Sequence, residues 1–468
     1  MYWAFFGPLS RIPGPFAEKF ISGSELFFGT KPGQRFKKVI TYHQKYGHVV
    51  RIGPKAISVS DKDIIKQVLV TEDFEKGPSY TRFQNGTSAS MLDTTDKIFH
   101  KQRAISPAFS IKYIKSLEPL FETVTDDFIK RINREIAANK QDTDFATVDI
   151  WWLLRCLAFD IIGETSLGGT FNMLSNNDHI MLVSVGKLLR GIDFVINHPW
   201  IAKLILLRKV KKNPDLVNFV TNLIKERVKN KQRRDDIIQI LINTQQAPKE
   251  EDRLSSDDIV VETTLFLVAG AETTSNTIGF SMIELCRNKS ALNRLRQEID
   301  AIELEDGKQV FHQCQLRNLP YLNAVINETM RLNTIPSNGL ERLVTRDIVI
   351  KGDIYVPSGT TVRCYTGIAQ THPDYWSDPM EFKPERWLPN ADPKPDMGAY
   401  NPFSAGSRNC VGKEFAMNEM RLAISTIIKH YDIEPISEEM EVARETRYFI
   451  TLTLASSSFK IRMKHRNS

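Results

Sequence analysis

Cysteine is scarce in this chain: five in 468 residues, scattered and odd in number. That excludes a disulfide scaffold and fits a reducing compartment. No CxxC and no HExxH occurs, so a zinc site of local spacing is excluded as well. No stretch approaches the ~20 consecutive apolar residues that cross a bilayer as a helix. The opening from Met1 to Phe6 is too short for a signal-peptide core and meets Gly7-Pro8 at once. An excess of one charge is also nearly lacking, with 62 Lys+Arg against 56 Asp+Glu for a net +6. Two basic clusters exist, Arg208-Lys209-Lys211-Lys212 and Lys229-Lys231-Arg233-Arg234, but no aromatics interleave them. A single-strand binder would need such stacking surfaces, so nucleic acid is not the expected partner and solvated helix ends are. The stretch Ile192 to Leu207 is apolar but interrupted by Asp193, His198 and Lys203, and is expected to pack on the protein.

What is present is an ordinary globular composition, 41% hydrophobic and 25% charged. A chain of this length can bury a core large enough to enclose a bulky cofactor. Pro8, Pro13, Gly14 and Pro15 read as a stiff connector over residues 1–16. Two β-like runs, His48 to Ile52 and Ala56 to Ser60, flank Gly53-Pro54 as a hairpin. From Asp61 to about Ile302 apolar residues recur at three and four, as in Ile114–Ile136 and Val148–Ile162, which predicts helices. Short strands are expected over Leu340–Val362, irregular chain over Pro373–Pro402, and a helix over Val411–His430. The expected fold class is therefore mainly α with a minor β portion, one large domain over 17–468.

Three segments carry chemistry. In Phe403-Ser-Ala-Gly-Ser-Arg-Asn-Cys-Val-Gly-Lys413, Cys410 stands where an irregular loop becomes a helix. The helix end and its free N–H groups favour thiolate there. Gly406 and Gly412 let backbone approach a flat ligand, and Arg408 supplies a cation suited to a carboxylate. A lone cysteine is ordinarily a small buried hydrophobe, but these neighbours reverse that reading. A phosphate loop is excluded, since five residues separate the glycines and Glu414 follows Lys413. The second segment is a helix from about Ser255 to Asn288, capped by Ser255 or Ser256 with Asp257 and Asp258 in its first turn. Its apolar middle is broken by Ala269-Gly-Ala-Glu-Thr-Thr274, and such a local inconsistency marks a functional site. The bland alternative is a threonine bonded back to the carbonyl one turn earlier. The third is Glu328-Thr-Met-Arg331, helical neighbours that alone would be surface decoration.

Taken together the sequence resembles a cytochrome P-450 of the eukaryotic microsomal type, a haem-thiolate monooxygenase, and fungal members most of all. The family pattern Phe-x-x-Gly-x-Arg-x-Cys-x-Gly is matched at Phe403, Gly406, Arg408, Cys410 and Gly412. The resemblance implies heme b with Cys410 as axial thiolate, a ligand that favours O–O cleavage. It implies propionate contacts from Arg408, Arg342 and Arg103, although Phe99 replaces the family's tryptophan beside the last, with His100 adjacent. By the same match Thr273 hydrogen-bonds dioxygen at the iron, Glu272 relays protons through water, and Gly270 leaves room for the gas. Glu328 and Arg331 become a buried pair joined by Arg386 of Pro384-Glu-Arg-Trp387, serving folding rather than chemistry. The implied reaction inserts one oxygen atom into an apolar organic substrate, with electrons from NADPH through a flavoprotein reductase docked on cations including Lys97, Lys101 and Arg103. A haem-thiolate isomerase or reductase needing no partner and a non-catalytic haem-binding homologue are the rivals, and neither has a use for Glu272 and Thr273. The pocket is expected from residues 81–92, 182–206, the stretch after Arg331 and the turn at 448–452. The family's hydrophobic anchor does not precede the proline hinge here, so either the chain is a truncated form or it contacts the membrane only peripherally; the resemblance implies the cytosolic face of the endoplasmic reticulum.

Overall fold

The computed structural model describes residues 5–22, 30–80, 105–140, 144–176, 180–197, 214–230 and 236–466. Near the start, α1 (Arg35–Tyr46) leads through Gly47 into β1 (Val49–Gly53) and β2 (Ala56–Val59). These form the antiparallel hairpin that the alternating runs predict, with a register shift between Arg51 and Gly53. Asp61 caps the short α2 (Lys62–Lys66), and β3 (Glu75–Lys76) follows.

The helical body begins with α3 (Glu118–Ala138), whose stripe Phe121, Val124, Phe128, Ile132 and Ile136 is buried. After β4 (Ala146–Asp149), Asp149 caps α4 (Ile150–Ile162) by accepting the Trp152 N–H at 3.1 Å. Almost every residue of α4 is apolar and buried, as expected of a helix surrounded on all sides. Two further helices, α5 (Ile180–Asn197) and α6 (Pro214–Asn230), precede the longest, α7 (Ser256–Arg287). The start of α7 is a capping box: the Ser255 hydroxyl accepts the Asp258 N–H, and the Asp258 carboxylate accepts the Ser255 N–H. Helix α7 packs chiefly on α4. Gly279 makes that approach close, since a Cβ there would stand 2.5 Å from the Trp151 ring.

The chain continues through α8 (Lys289–Asp300) and α9 (Pro320–Leu332) into β5 (Leu340–Leu343), β6 (Ile348–Ile350), β7 (Ile354–Val356) and β8 (Thr361–Cys364). Strands β1-β2-β8-β5-β3 make one sheet, antiparallel except where β2 meets β8, and β6 pairs with β7. Past α10 (Thr366–Ala369), residues 373–402 hold only single turns at Pro384–Trp387 and Met397–Ala399, as the prolines require. Then α11 (Lys413–His430) runs buried through the helical body. The chain closes with β9 (Tyr431–Pro435), the hairpin β10 (Thr446–Phe449) and β11 (Thr451–Leu454), and β12 (Lys460–His465), which lies between β4 and β9. Two main apolar cores result: a large helical one and a smaller one around the five-stranded sheet. The architecture is mainly α with small sheets, as expected.

Candidate functional site

Cys410 lies three residues before the start of α11, in a loop closed by its own backbone: the Cys410 N–H donates to the Phe403 carbonyl at 2.8 Å. The turn inside the loop needs positive φ at Ser404 (64°) and Gly406 (77°). Gly406 is also pressed on the main chain, since a Cβ there would meet the Leu69 carbonyl oxygen at 1.9 Å. Around Gly412, by contrast, the space a Cβ would take is open to 4 Å. The loop is moored by Asp73, which accepts from the Ser407 hydroxyl at 2.6 Å and pairs with Arg408 at 3.2 Å. Cys410 keeps an accessible surface although protein crowds closely around it. Enclosure pushes its thiol up, while the Gly412 N–H and Lys413 pull the other way. A metal cation beside the sulfur would reverse the balance, because a coordinating thiol is deprotonated outright.

Arg408 is buried beneath this loop, its Nη1 donating to the Asp73 carbonyl at 3.0 Å. Burial lowers its pKa, Asp73 opposes that, and neighbouring Arg342 lowers it further. Arg342, from β5, is itself buried, with Nη1 on the Glu341 carbonyl at 3.0 Å. Two like charges out of water side by side are costly unless anions share the space.

In the middle of α7, Thr264, Leu265, Val268, Gly270 and Thr273 are partly accessible and Ala269 is exposed; Leu265, Ala269 and Thr273 form one row of these. Four-residue spacing puts the three on one face. The Thr273 hydroxyl donates to the Ala269 carbonyl at 2.7 Å, so the bond back along the helix is made here. Glu272 points elsewhere: it is buried against α4 and accepts from Arg155 at 2.8 Å. A Cβ on Gly270 would meet Ile162 Cδ1 at 2.7 Å, so this glycine also serves the contact with α4.

Behind the site, Glu328 and Arg331 are fully buried and joined by two parallel bonds of 2.8 Å. Arg386 donates to the same carboxylate at 3.0 Å. Trp387 Nε1 and the Lys383 N–H, both at 2.9 Å, complete the acceptor's shell. Arg331 also donates to the carbonyls of Gln370, Pro379 and Glu381 and stacks its guanidinium 5.1 Å from the Trp376 ring centroid.

The description "Cytochrome P450" matches residues 13–463. The chain belongs to the cytochrome P450 family. It is 31% identical to cytochrome P450 monooxygenase LUC2 of a Fusarium species over 98% of this chain and 90% of that protein. Monooxygenase acrD of Aspergillus aculeatus is 32% identical over 93% and 87%, and mouse cytochrome P450 3A13 is 28% identical over 85% and 81%. The protein is thus an oxidoreductase of the P450 type, a family that generally holds haem through a cysteine thiolate and uses dioxygen with redox partners.

Of the residues the sequence singled out, Cys410, Arg408, Phe403, Gly406 and Gly412 share one loop, and Arg342 comes to Arg408 from the sheet. Arg103, Phe99, His100, Lys97 and Lys101 lie outside the described residues, as do 81–92 and 198–206. The remaining pocket segments converge: Leu452 donates its N–H to the Ile335 carbonyl at 2.9 Å, and Asn276 of α7 donates to the Leu452 carbonyl at 3.0 Å. Arg190 of α5 lies 5.7 Å from the Phe449 ring centroid, bringing that helix to the same hairpin. Three residues were not anticipated: Arg155, Asp73 and Trp387. Their partners are 117, 334 or more, and 59 positions away. No local spacing records such contacts. Among the described residues no helix is long and apolar enough to cross a membrane.

Proposed function

We propose that the chain is a haem-thiolate monooxygenase that inserts one atom of dioxygen into an apolar organic substrate, the other leaving as water. Cys410 would hold the iron of heme b, and Arg408 and Arg342 the two propionates. The adjacency of those two buried guanidiniums supports this, because a dianionic edge relieves their repulsion. Bound there, the group supplies the redox centre at which dioxygen is activated. Phe403 and Gly406 fix the loop, Gly412 keeps its face open, and Glu328, Arg331 and Arg386 fix the segment that leads into it.

The observation that carries the reading is Thr273, a partly accessible hydroxyl in line with exposed Ala269 on the longest helix, next to a carboxylate held by Arg155. Its hydroxyl can turn from the Ala269 carbonyl to give its proton to an acceptor on the cleft side while its Oγ takes up another, and Glu272, adjacent in sequence with its carboxylate held by Arg155, is the group we assign to resupply that proton through water. Two protons and two electrons are needed per oxygen atom inserted, and NADPH through a flavoprotein reductase is the electron source we assign. The exposed rings of Phe5, Phe6 and Phe16, with Ile21, support peripheral contact with the endoplasmic reticulum membrane.

Two measurements test this. The reduced protein under carbon monoxide should show a thiolate-type absorption band, and Cys410→His should convert it to an imidazole type. Thr273→Ala should retain haem but lower product formed per NADPH by ~100-fold, with peroxide appearing instead. Unchanged coupling in that variant overturns the assignment of Thr273.

A further inference from the structure

At the end of the five-stranded sheet where β1 begins and β2 stops, His48 stands just before β1, and His372 and Asp374 follow α10. Their ligand atoms all lie within 4.8 Å of one another. His48 Nε2 is 3.6 Å and His372 Nδ1 is 3.5 Å from the same Asp374 carboxylate oxygen. Those separations are too long for hydrogen bonds. They lie just above the edge of a tetrahedron, about 3.3–3.5 Å, around an ion bound at about 2.0–2.1 Å, so a small movement of the exposed Asp374 carboxylate would close them onto an ion. The two imidazole rings face each other at 4.5 Å between centroids.

The geometry points to a binding site for a divalent transition ion, of which zinc is the natural occupant, formed by His48, His372 and Asp374. Each ligand nitrogen is already directed. His372 Nδ1 accepts the Asp374 N–H at 3.2 Å, so it carries a lone pair and not a proton. An ion would take over that lone pair. His48 Nδ1 is 3.2 Å from the Ser60 hydroxyl, which leaves Nε2 facing the carboxylate. Ser60 is buried and lies 3.1 Å from His43 Nδ1, and His43 is in turn held by the Gly47 carbonyl at 2.9 Å and the Ser58 hydroxyl at 2.6 Å. Such a chain of support behind a metal-binding imidazole orients the ring and fixes its tautomer.

Two imidazoles and one carboxylate suit zinc, nickel or copper and disfavour calcium and magnesium, which take oxygen ligands. Three protein ligands leave a fourth position for water. His312 offers a contrast: it meets Glu122 through Nδ1 at 2.6 Å and Glu305 through Nε2 at 3.1 Å, on opposite sides of the ring, and cannot chelate one ion with both. The site would pin the entry to β1 against the segment running from α10 to Trp376 and Arg386.

The test uses the haem-loaded protein and Zn²⁺ in competition with a chromophoric chelator. The wild type should hold one zinc ion that His48→Ala and Asp374→Asn each weaken by at least ~10-fold, while His465→Gln, at an exposed histidine elsewhere, leaves it unchanged. Zinc should also raise the unfolding temperature of the wild type and not that of Asp374→Asn. Asp374 is an exposed side chain, so this variant stays folded and keeps the comparison decisive. A wild type that fails to compete for zinc, or variants that bind it as the wild type does, would overturn the site.

Discussion

Gly406 and Gly412 flank Cys410 for different reasons, and substitution should separate them. Alanine at 406 must adopt a left-handed φ and drive a methyl into the Leu69 carbonyl, so Gly406→Ala is expected to cost about 3 kcal/mol in a urea titration. Alanine at 412 meets nothing within 4 Å. Gly412→Ala should therefore stay within about 1 kcal/mol in stability yet retain less haem, because the methyl enters the open space at the sulfur. A second residue-scale effect concerns His43, whose pKa burial lowers from 6.5 to about 4. Between those values the unfolded chain takes up a proton that the folded chain refuses. Stability is fully present above pH 6.5 and should fall by up to about 3 kcal/mol as the pH drops towards 4. His43→Gln should flatten that slope in denaturation curves at pH 7, 5.5 and 4.5. At this scale the sequence was legible where neighbours speak, as around Cys410. It was silent on Arg155, a single cation on an apolar helix that reads as an anomaly until Glu272 is seen beside it.

Elements were legible where a cap or a period defines them. The start of α7 follows from Ser255 and Asp258 because both halves of the capping box lie within four residues. The irregular stretch before Cys410 is equally clear from its prolines, but what holds it is not. It is organised on the end of α9, through one carboxylate and one guanidinium that spacing alone offers only as a helical pair and that the family resemblance joins to Arg386. Glu328→Gln removes the charge that Arg331 and Arg386 share and leaves two buried cations short of an anion. The expected loss is about 3–5 kcal/mol, measured by denaturant unfolding, with failure to load haem as a second readout. Helix α7 shows the limit of reading a residue by one role. Its Gly270 was expected to make room for dioxygen, and its missing methyl also accommodates Ile162 of α4.

At the scale of the molecule, the helical core and the sheet core are separate apolar clusters. The Cys410 loop joins them, because Asp73, just after the sheet-side cluster's Leu69, holds Ser407 and Arg408. Asp73→Ala should lower global stability by only about 2 kcal/mol. It should speed haem loss several-fold, as followed by transfer to an apo-globin acceptor. Fold class was legible from periodicity, but this joint was not, because it depends on residues 334 positions apart. The same remoteness governs how the protein emerges from the ribosome. Strand β2 is paired on one side by β8, joining Ala56 to Thr361. At ~5–20 residues per second, about 15–60 s of translation separate the two strands. Until then the β1–β2 hairpin presents an open edge in the nascent chain, a target for chaperones and a point at which slowed synthesis or crowding would divert the product to aggregates.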